Sequence, residues 1–292
     1  MKPETVGLIF ILIEIFAIAT QPVFAKIAVG SINPIFAAAM ASLVGGCIPL
    51  ILLIRKKRVH LIFNKAYAKE ILLTGFFGTT ITYSLFFLGA QMTSVINAAI
   101  LMQSEPIYSL FLGYFLLKEK ITGKQILATF LIVLGVVFVI YNGTISLNLG
   151  DVLILLTPLF YQISHVIAKR IMKQAGAFAI QAGRHLSAGL TMLFLSSILG
   201  MNQFHLLTVP ENLAVVLLFG IVVAGIGTLA WYEAIKRINL SKATALIAPY
   251  SVLSIVFAWL FMNESPSVYQ IAGLVLVLAG IFTLAKIKSE IR

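Results

Sequence analysis

This 292-residue sequence has few charged residues and a single cysteine. Asp, Glu, Lys and Arg make up 11% of it and hydrophobic residues 60%, whereas soluble domains carry about 25% charged residues. An ordinary soluble protein is therefore excluded. One cysteine also excludes a disulfide within the chain. Because Cys47 lies inside an apolar stretch, we expect it to be a small packing residue.

The sequence also lacks the motifs of common enzymes. It contains no phosphate-binding loop, no His-x-x-x-His spacing of metal ligands and no nucleophile–base pair within one motif. We therefore predict that the protein is not an enzyme and has no cofactor. Without a nucleotide-binding segment, any transport would be driven by a gradient, with protons as a candidate coupling ion.

Long apolar stretches fill almost the whole chain. A helix needs about 20 mostly apolar residues to cross a bilayer, and ten stretches meet this: 6–27, 34–54, 70–90, 95–117, 121–141, 150–171, 177–199, 212–235, 241–262 and 266–286. The prediction is an all-α, multi-pass integral membrane protein with ten transmembrane helices in the cell (inner or plasma) membrane.

The basic residues indicate how these helices are oriented. If the helices alternate from a cytoplasmic N-terminus, every Lys and Arg except Lys26 and Arg184 falls on the cytoplasmic side. This is the positive-inside pattern, and it predicts that both termini are cytoplasmic. It also explains the net charge of +11 without nucleic acid as a partner. Lys26 is expected to extend to the outer headgroups.

The chain contains one long internal repeat. Pro106 and Pro249 are 143 positions apart, as are Lys26 and Lys169, whereas Glu119 and Glu264 are 145 apart. The repeat divides the chain into residues 1–146 and 147–292. Each half holds five helices, and because five is odd the second half should be inverted. Such inverted repeats are typical of secondary transporters; duplication for symmetry alone, as in some channels, is the alternative.

Two smaller features of the repeat suggest structural roles. Ala128 and Gly135, and their partners Gly273 and Gly280, share one helix face in each half, so we expect helices to pack closely there. The acidic residues at the turns, Glu119 and Glu264, are expected to cap or brace the next helix.

The two repeat tails resemble a known family. They read LLKEKITGKQILATFLIVLGVV and FMNESPSVYQIAGLVLVLAGIF, and with five-plus-five helices and a proline midway in the fourth and ninth they are similar to the EamA family of the drug/metabolite transporter superfamily. The resemblance implies transport of amino acids, drugs or metabolites, mostly by export. The first helix departs from the family pattern, since Ala17-Ile18-Ala19 stands where Trp-Gly is frequent.

Polar residues within helices 1 and 6 are candidates for binding. Glu14 lies near the centre of helix 1, and Gln21 follows two turns later on the same face. Helix 6 carries a polar stripe that includes Tyr161 and His165. Glu14 is either a buried carboxyl held by a neighbouring group or a protonatable group that exchanges its proton for a cation or amine. His165 either relays protons or hydrogen-bonds near Ser164.

Prolines interrupt helices 4 and 9 at equivalent places. Pro106 follows Glu105, with Tyr108 one turn on, and Pro249 precedes Tyr250. Interrupted helices in both halves indicate a transport site, although the prolines could instead only curve their helices around a cavity.

The remaining candidates lie in helices 3, 7 and 8. Arg184 is expected to bind a substrate carboxylate, to pair with a glutamate, or to extend to the cytoplasmic surface. Tyr83 is placed near mid-span, where it can face a cavity. Trp231 and Tyr232 are expected in an interfacial aromatic belt.

Together these features predict a secondary transporter of small polar organic metabolites, with amino acids or related amines favoured. Its partners would be a small-molecule substrate and the lipid bilayer, and it would be a monomer or a homodimer. The alternatives are a broad cation or drug proton antiporter and a passive, channel-like facilitator.

Overall fold

The protein is helical wherever its structure is described. The computed structural model describes residues 3–117, 122–143, 147–238 and 240–285, and every regular element in these ranges is a helix. Seven helices there are long and apolar enough to cross a membrane, and two shorter apolar helices, Tyr250–Met262 and Val268–Leu284, accompany them. The expected all-α membrane fold is confirmed at this level.

Thirteen α-helices occur in the described ranges. In chain order they are α1 (Pro3–Ser31), α2 (Pro34–Arg55), α3 (Ala68–Gly75), α4 (Thr82–Met92), α5 (Val95–Leu101), α6 (Glu105–Leu117), α7 (Gly123–Tyr141), α8 (Leu149–Ile198), α9 (Pro210–Leu218), α10 (Thr228–Ile235), α11 (Leu240–Ile247), α12 (Tyr250–Met262) and α13 (Val268–Ala285). Short 3₁₀ helices lie at Val59–Leu61, Met102–Ser104 and Phe204–Thr208.

Two π-helical segments connect pairs of these α-helices. The first π segment, Phe76–Ile81, joins α3 to α4, and the second π segment, Phe219–Gly227, joins α9 to α10. They begin 143 residues apart, the same offset as the sequence repeat. π-Helical turns are rare in proteins, and those that occur are often found at functional sites. The sequence analysis did not predict either of them.

Predicted helices 6 and 7 form one 50-residue element, α8, which changes direction at Gly176. Gly176 has φ +75° and ψ 158°, a conformation open to glycine and unfavourable for other residues. We call residues 149–175 the first arm and residues 177–198 the second arm. A capping box begins the first arm, in which Asn148 and Asp151 satisfy each other's backbone N–H groups.

The helices that carry Pro106 and Pro249 are discontinuous. The 3₁₀ helix Met102–Ser104 separates α5 from α6, and residues 248–249 separate α11 from α12. A side chain joins the two breaks, because Gln103 Nε2 donates to the carbonyl oxygen of Ala248 at 2.5 Å and to Ser251 Oγ at 2.9 Å.

Helices α7 and α13 pack against each other through their small residues. A Cβ built on Gly273 would lie 2.6 Å from the carbonyl oxygen of Gly135, and one on Gly280 would lie 2.6 Å from that of Ala128. The backbones are therefore in direct contact, as small residues allow. The pairing of 128 with 280 and of 135 with 273 makes the two helices antiparallel. Each is capped at its start by a Thr/Ser–Gln box 145 positions apart, at Thr122 and Ser267.

Cys47 is not the packing residue that was expected. It lies in α2 with its thiol exposed, because this face of the helix turns away from the neighbouring helices.

Candidate functional site

Arg184 lies at the centre of the candidate site. It is 1% exposed on the second arm of α8. Its Nε donates to Thr79 Oγ1 at 2.6 Å, its Nη1 to Tyr232 Oη at 2.8 Å, and its Nη2 to the carbonyl oxygen of Gly78. All three acceptors are uncharged. Two lie in the first π segment and the third in α10, so this one side chain ties three elements together.

The alternatives of surface extension and an ion pair are both excluded for Arg184. The side chain is buried, and no carboxylate oxygen of the described residues lies within 4 Å of the guanidinium nitrogens. A guanidinium has five N–H donors, and the three bonds above leave two of them available. The neutral acceptors satisfy three N–H donors of Arg184, but no negatively charged group contacts its positive charge.

Glu14 supplies a buried carboxylate near this guanidinium. It is 6% exposed in α1 and lies within electrostatic range of both Arg184 and Glu105. Its Oε2 is buried without a hydrogen-bond partner. The second π segment lies against it, since a Cβ on Gly227 would be 2.7 Å from that oxygen. Gln21, on the same face, is 3% exposed and lies beside Tyr161.

Glu105 begins α6 and has a partner that the sequence analysis missed. Gln162, on the first arm of α8, donates its Nε2 to Glu105 Oε1. Tyr108 Oη donates to the carbonyl oxygen of Leu155 at 2.7 Å, which fixes α6 against the same arm. Gln162 directly follows Tyr161 of the polar stripe, and this polar residue inside an apolar helix was the available signal. Pro106 is buried beside Glu105, whereas Pro249 is exposed.

Aromatic rings surround His165 next to Arg184. The His165 ring stacks on Tyr161 with centroids 5.8 Å apart and lies 5.5 Å from Trp231 and 6.0 Å from Tyr232. Arg184 Cζ lies 5.7 Å and 5.8 Å from the Tyr161 and Tyr232 rings, within cation–π range. His165 Nδ1 and Trp231 Nε1 are buried without partners. The expected hydrogen bond of His165 near Ser164 is absent, because Ser164 Oγ donates to the carbonyl oxygen of Thr74.

The aromatic-belt expectation for Trp231 and Tyr232 is wrong. Both are buried, at 5% and 0% exposure, because α10 lies between α1 and α8. The sequence boundary of the eighth stretch gave no indication that these residues face the protein interior.

Two further tyrosines complete the site. Tyr83 follows the first π segment, is completely buried and lies beside Tyr161. Tyr250 begins α12 just after the break, is 5% exposed and lies within electrostatic range of Glu105 and Glu14. The structure thus brings Glu14, Gln21, Tyr83, Glu105, Tyr161, His165, Arg184 and Tyr250 around one polar centre, which we call the central site. Tyr108 is at its edge, on α6.

The central site contains several buried polar atoms without a protein partner. Within the described part of the chain, no group of three or more His, Cys, Asp or Glu is placed to hold a metal ion. Buried polar atoms in proteins almost always have a partner, which is often water or a ligand. In and beside the central site the buried atoms without a protein partner are Glu14 Oε2, Gln21 Nε2, Tyr83 Oη, His165 Nδ1 and Trp231 Nε1.

A second polar region lies at the ends of α1 and α4. A cavity of 550 Å³ opens to the surface there, lined mainly by polar side chains that include Lys26, Asn97, Glu264 and Gln270. Lys26 was expected to extend to the headgroups; its Nζ instead donates to the carbonyl oxygens of Thr93 at 2.7 Å and Gln91 at 3.3 Å.

Glu264 lines the same cavity and caps a helix. Its two carboxylate oxygens accept from the amides of Val95 and Ile96 at 3.2 Å each. It therefore caps α5, from the opposite half of the chain, and not the helix that follows it. Its repeat partner Glu119 lies outside the described residues.

The comparisons with known proteins agree with this architecture. The model of the EamA-like transporter family matches residues 5–141 and again residues 148–285. An uncharacterized transporter of Bacillus subtilis, YyaM, is 26% identical over 285 residues, covering 94% of this chain and 92% of the relative. An uncharacterized transporter of Methanothermobacter thermautotrophicus is 27% identical over 221 residues, covering 73% of this chain and 63% of that protein.

Two further comparisons extend the picture. A Salmonella typhimurium protein named "Probable amino-acid metabolite efflux pump" is 26% identical over 195 residues, covering 63% of this chain and 65% of that protein. A solved crystal structure shares the fold at a TM-score of 0.71 and 15% identity, covering 96% of each chain. Both halves of the chain match the family model, so the chain belongs to the EamA-like transporter family and is a multi-pass membrane transporter, not an enzyme.

Proposed function

We propose that this protein is a secondary-active transporter of small polar organic metabolites, with amino acids or related amines as substrates and export as the direction. It works by alternating access, with ten transmembrane helices in two inverted five-helix repeats (1–146 and 147–292) and both termini in the cytoplasm. The observation that carries the proposal is the buried, unpartnered carboxylate oxygen of Glu14, in the same polar centre as Arg184.

The charges of the central site suit a substrate that carries an amine. Glu14 and Glu105 provide two carboxylates against one guanidinium, so a substrate ammonium has acceptors and a substrate carboxylate has the unused N–H groups of Arg184. Ionisable groups within a membrane protein are costly and usually functional. A proton on Glu14 that is exchanged for an ammonium would couple the two fluxes.

The arrangement of the helices supports alternating access. Discontinuous helices at equivalent places in two repeats are typical of transport sites, and here α5/α6 and α11/α12 meet through Gln103. The name of the Salmonella relative supports amino-acid metabolites and export.

The first test is a binding panel on the purified protein. A ligand that binds only the folded state raises the unfolding temperature. We expect stabilisation by one or more α-amino acids or primary amines. If none of an amino-acid, polyamine and quaternary-amine panel stabilises the protein, the substrate class is wrong.

The second test measures coupling in proteoliposomes with a ligand that the panel identifies. The wild-type protein should move protons with the substrate gradient, and Glu14→Gln should abolish this movement while the protein stays folded. Glu211→Gln, at the exposed start of α9, is the matched control. Proton movement retained in Glu14→Gln would remove Glu14 from the mechanism. Flux without counterflow would indicate a channel-like facilitator.

A broad cation or drug proton antiporter is the second candidate. The stacked rings of Tyr161 and His165 with Trp231 favour it, because aromatic faces bind organic cations. Stabilisation by quaternary amines together with none by amino acids would select this function.

A further inference from the structure

The cavity at the ends of α1 and α4 has charged residues that are already bound to helix ends. The Lys26 ammonium lies on the last carbonyl groups of α4, and the Glu264 carboxylate lies on the first amides of α5. Cations stabilise the C-terminal end of a helix and anions the N-terminal end. Both residues therefore hold the corner where α4 meets α5, at residues 93–94.

The Lys26 contact has an equivalent in the second half of the chain. The offset of 143 that relates Lys26 to Lys169 also relates Gln91 and Thr93 to Ala234 and Lys236. The same offset relates the last residue of α4, Met92, to the last residue of α10, Ile235. The repeat therefore makes Lys169 the equivalent of Lys26, and the end of α10 the equivalent of the end of α4.

The two lysines differ in what they bind. Lys26 donates to two carbonyl oxygens, whereas Lys169 is exposed and makes no hydrogen bond with any described residue. Chain spacing relates Lys169 to the end of α10 through the contacts of His165. His165, one turn earlier on the same arm, contacts Trp231 and Tyr232, and the carbonyl groups of residues 234 and 236 lie within about one turn of those rings.

We propose that Lys26 and Lys169 are paired positioning residues that bind their helix ends alternately. In the state that the structure shows, which we call the present state, the cavity beside Lys26 is open, Lys26 binds the end of α4 and Lys169 is unbound. In the opposite state of the transport cycle, Lys169 binds the end of α10 and Lys26 is unbound. The inference rests on the proposed alternating access. In that mechanism each half adopts, in the opposite state, the conformation that the other half has now, and it therefore forms the contacts that the other half now makes. Neither lysine has to contact substrate for this role.

The proposal predicts opposite effects of two equivalent substitutions. Lys26→Met removes a contact of the present state and shifts the population away from it. Lys169→Met removes a contact of the other state and shifts the population toward the present one. A ligand-free equilibrium responds to such a change in the relative free energy of its two states.

The experiment follows a cysteine in the cavity. In a Cys47→Ala background, Ser265→Cys lines the cavity that is open in the present state, and its labelling by a membrane-impermeant maleimide is measured without substrate. We expect labelling several-fold slower with Lys26→Met, several-fold faster with Lys169→Met, and near the starting rate in the double variant. All variants carry Ser265→Cys, an exposed position outside the α4–α5 corner, so the cost of that substitution cancels.

Controls separate a shift between states from loss of structure. Lys173→Met, an exposed lysine one turn beyond Lys169, should leave the labelling rate unchanged, and Lys26→Arg should restore the rate of the parent. Shifts of the two methionine variants in the same direction, or no difference between Lys169→Met and Lys173→Met, would overturn the proposal. The labelling is measured without substrate, so it tests the lysine proposal separately from transport. Unchanged labelling in a protein that still transports would contradict the lysine proposal and leave the proposed function standing. Opposite shifts without any transport would sink only the proposed substrate class.

Discussion

Arg184 is a charged side chain that is almost completely buried and has no acidic partner within 4 Å in the described ranges. An isolated buried charge is costly, and its cost falls when every available partner is well placed. Gly78 makes one of these partners possible, because its missing side chain lets the guanidinium approach the π-segment backbone. The sequence identified Arg184 as unusual but could not identify its three acceptors, which lie 106, 105 and 48 residues away.

A substitution at Gly78 tests this contact. A Cβ there would lie 3.2 Å from Arg184 Cζ and would overlap Ser164, so Gly78→Ala should destabilise the fold by about 1–3 kcal/mol. Gly30→Ala is the matched control. It meets nothing within 4 Å and should be neutral or stabilising by up to about 1 kcal/mol. Thermal unfolding in detergent measures both, and equal effects would argue against close packing at Gly78.

Other residues show why the burial of a side chain and its hydrogen-bond partners were hard to predict from the sequence. Trp231 and Tyr232 were placed in an aromatic belt because they lie near the end of an apolar stretch, yet both face the interior. Lys26 was expected to extend its long side chain to the outer headgroups, but its Nζ donates to carbonyl groups at the end of α4. Gln162 lies next to a recognised polar stripe but was not predicted, and only the packing of α6 on α8 shows that it binds Glu105.

At the scale of elements, the second arm of α8 holds both π segments. Arg184 binds the first π segment through Gly78 and Thr79. His185 Nε2 lies 3.3 Å from Thr228 Oγ1, and Gln181 Nε2 donates to the Thr228 carbonyl oxygen at 3.0 Å, just after the second π segment. One helix therefore positions the two places where helical hydrogen bonding changes.

The sequence repeat predicted equivalent features in both halves but not what they would be. The offset of 143 implied that any irregularity near residue 76 should recur near residue 219, and both π segments obey it. Nothing in their composition distinguishes a π turn from an α turn, because the difference lies in backbone hydrogen bonds made under tertiary constraint.

The antiparallel pair α7–α13 gives a prediction for an element. A Cβ at Gly135 would lie 2.5 Å from the carbonyl oxygen of Gly273, a backbone atom that cannot move alone. Gly135→Ala should therefore cost about 1–3 kcal/mol of stability, whereas Gly123→Ala, in the same helix with nothing within 4 Å, should cost nothing. Unfolding of the two variants in detergent checks the difference, and an unaffected Gly135→Ala would mean that the helices are not in backbone contact.

At the scale of the whole molecule, polar contacts join the two halves at their ends. Glu264 caps α5 across 169 residues of sequence, and Gln270 Nε2 donates to Asn97 Oδ1 at 2.7 Å. Asn97 in turn donates to Asp151 at 3.2 Å. Composition predicted a membrane protein and the internal repeat predicted two related halves. Contacts between the halves depend on their relative placement, which a sequence period does not specify.

Loss of the Glu264 cap should weaken this connection. Glu264→Ala leaves the amides of Val95 and Ile96 without their acceptor, so we expect a loss of about 0.5–2 kcal/mol. Hydrogen exchange at these two amides should increase in the variant. Ser265→Ala, at the exposed neighbouring position, should change neither quantity, and unchanged exchange in Glu264→Ala would exclude the cap.

Gly176 has a mechanical consequence for the molecule. It is the one residue within α8 whose backbone angles leave the helical range, and a side chain there would meet nothing within 4 Å. The arm that carries Tyr161, His165 and Lys169 is thus joined to the arm that carries Arg184 at a single non-helical residue. A change in the angle between the two arms can therefore be confined to Gly176, and it would move Tyr161 and His165 relative to the Arg184 guanidinium without bending either arm.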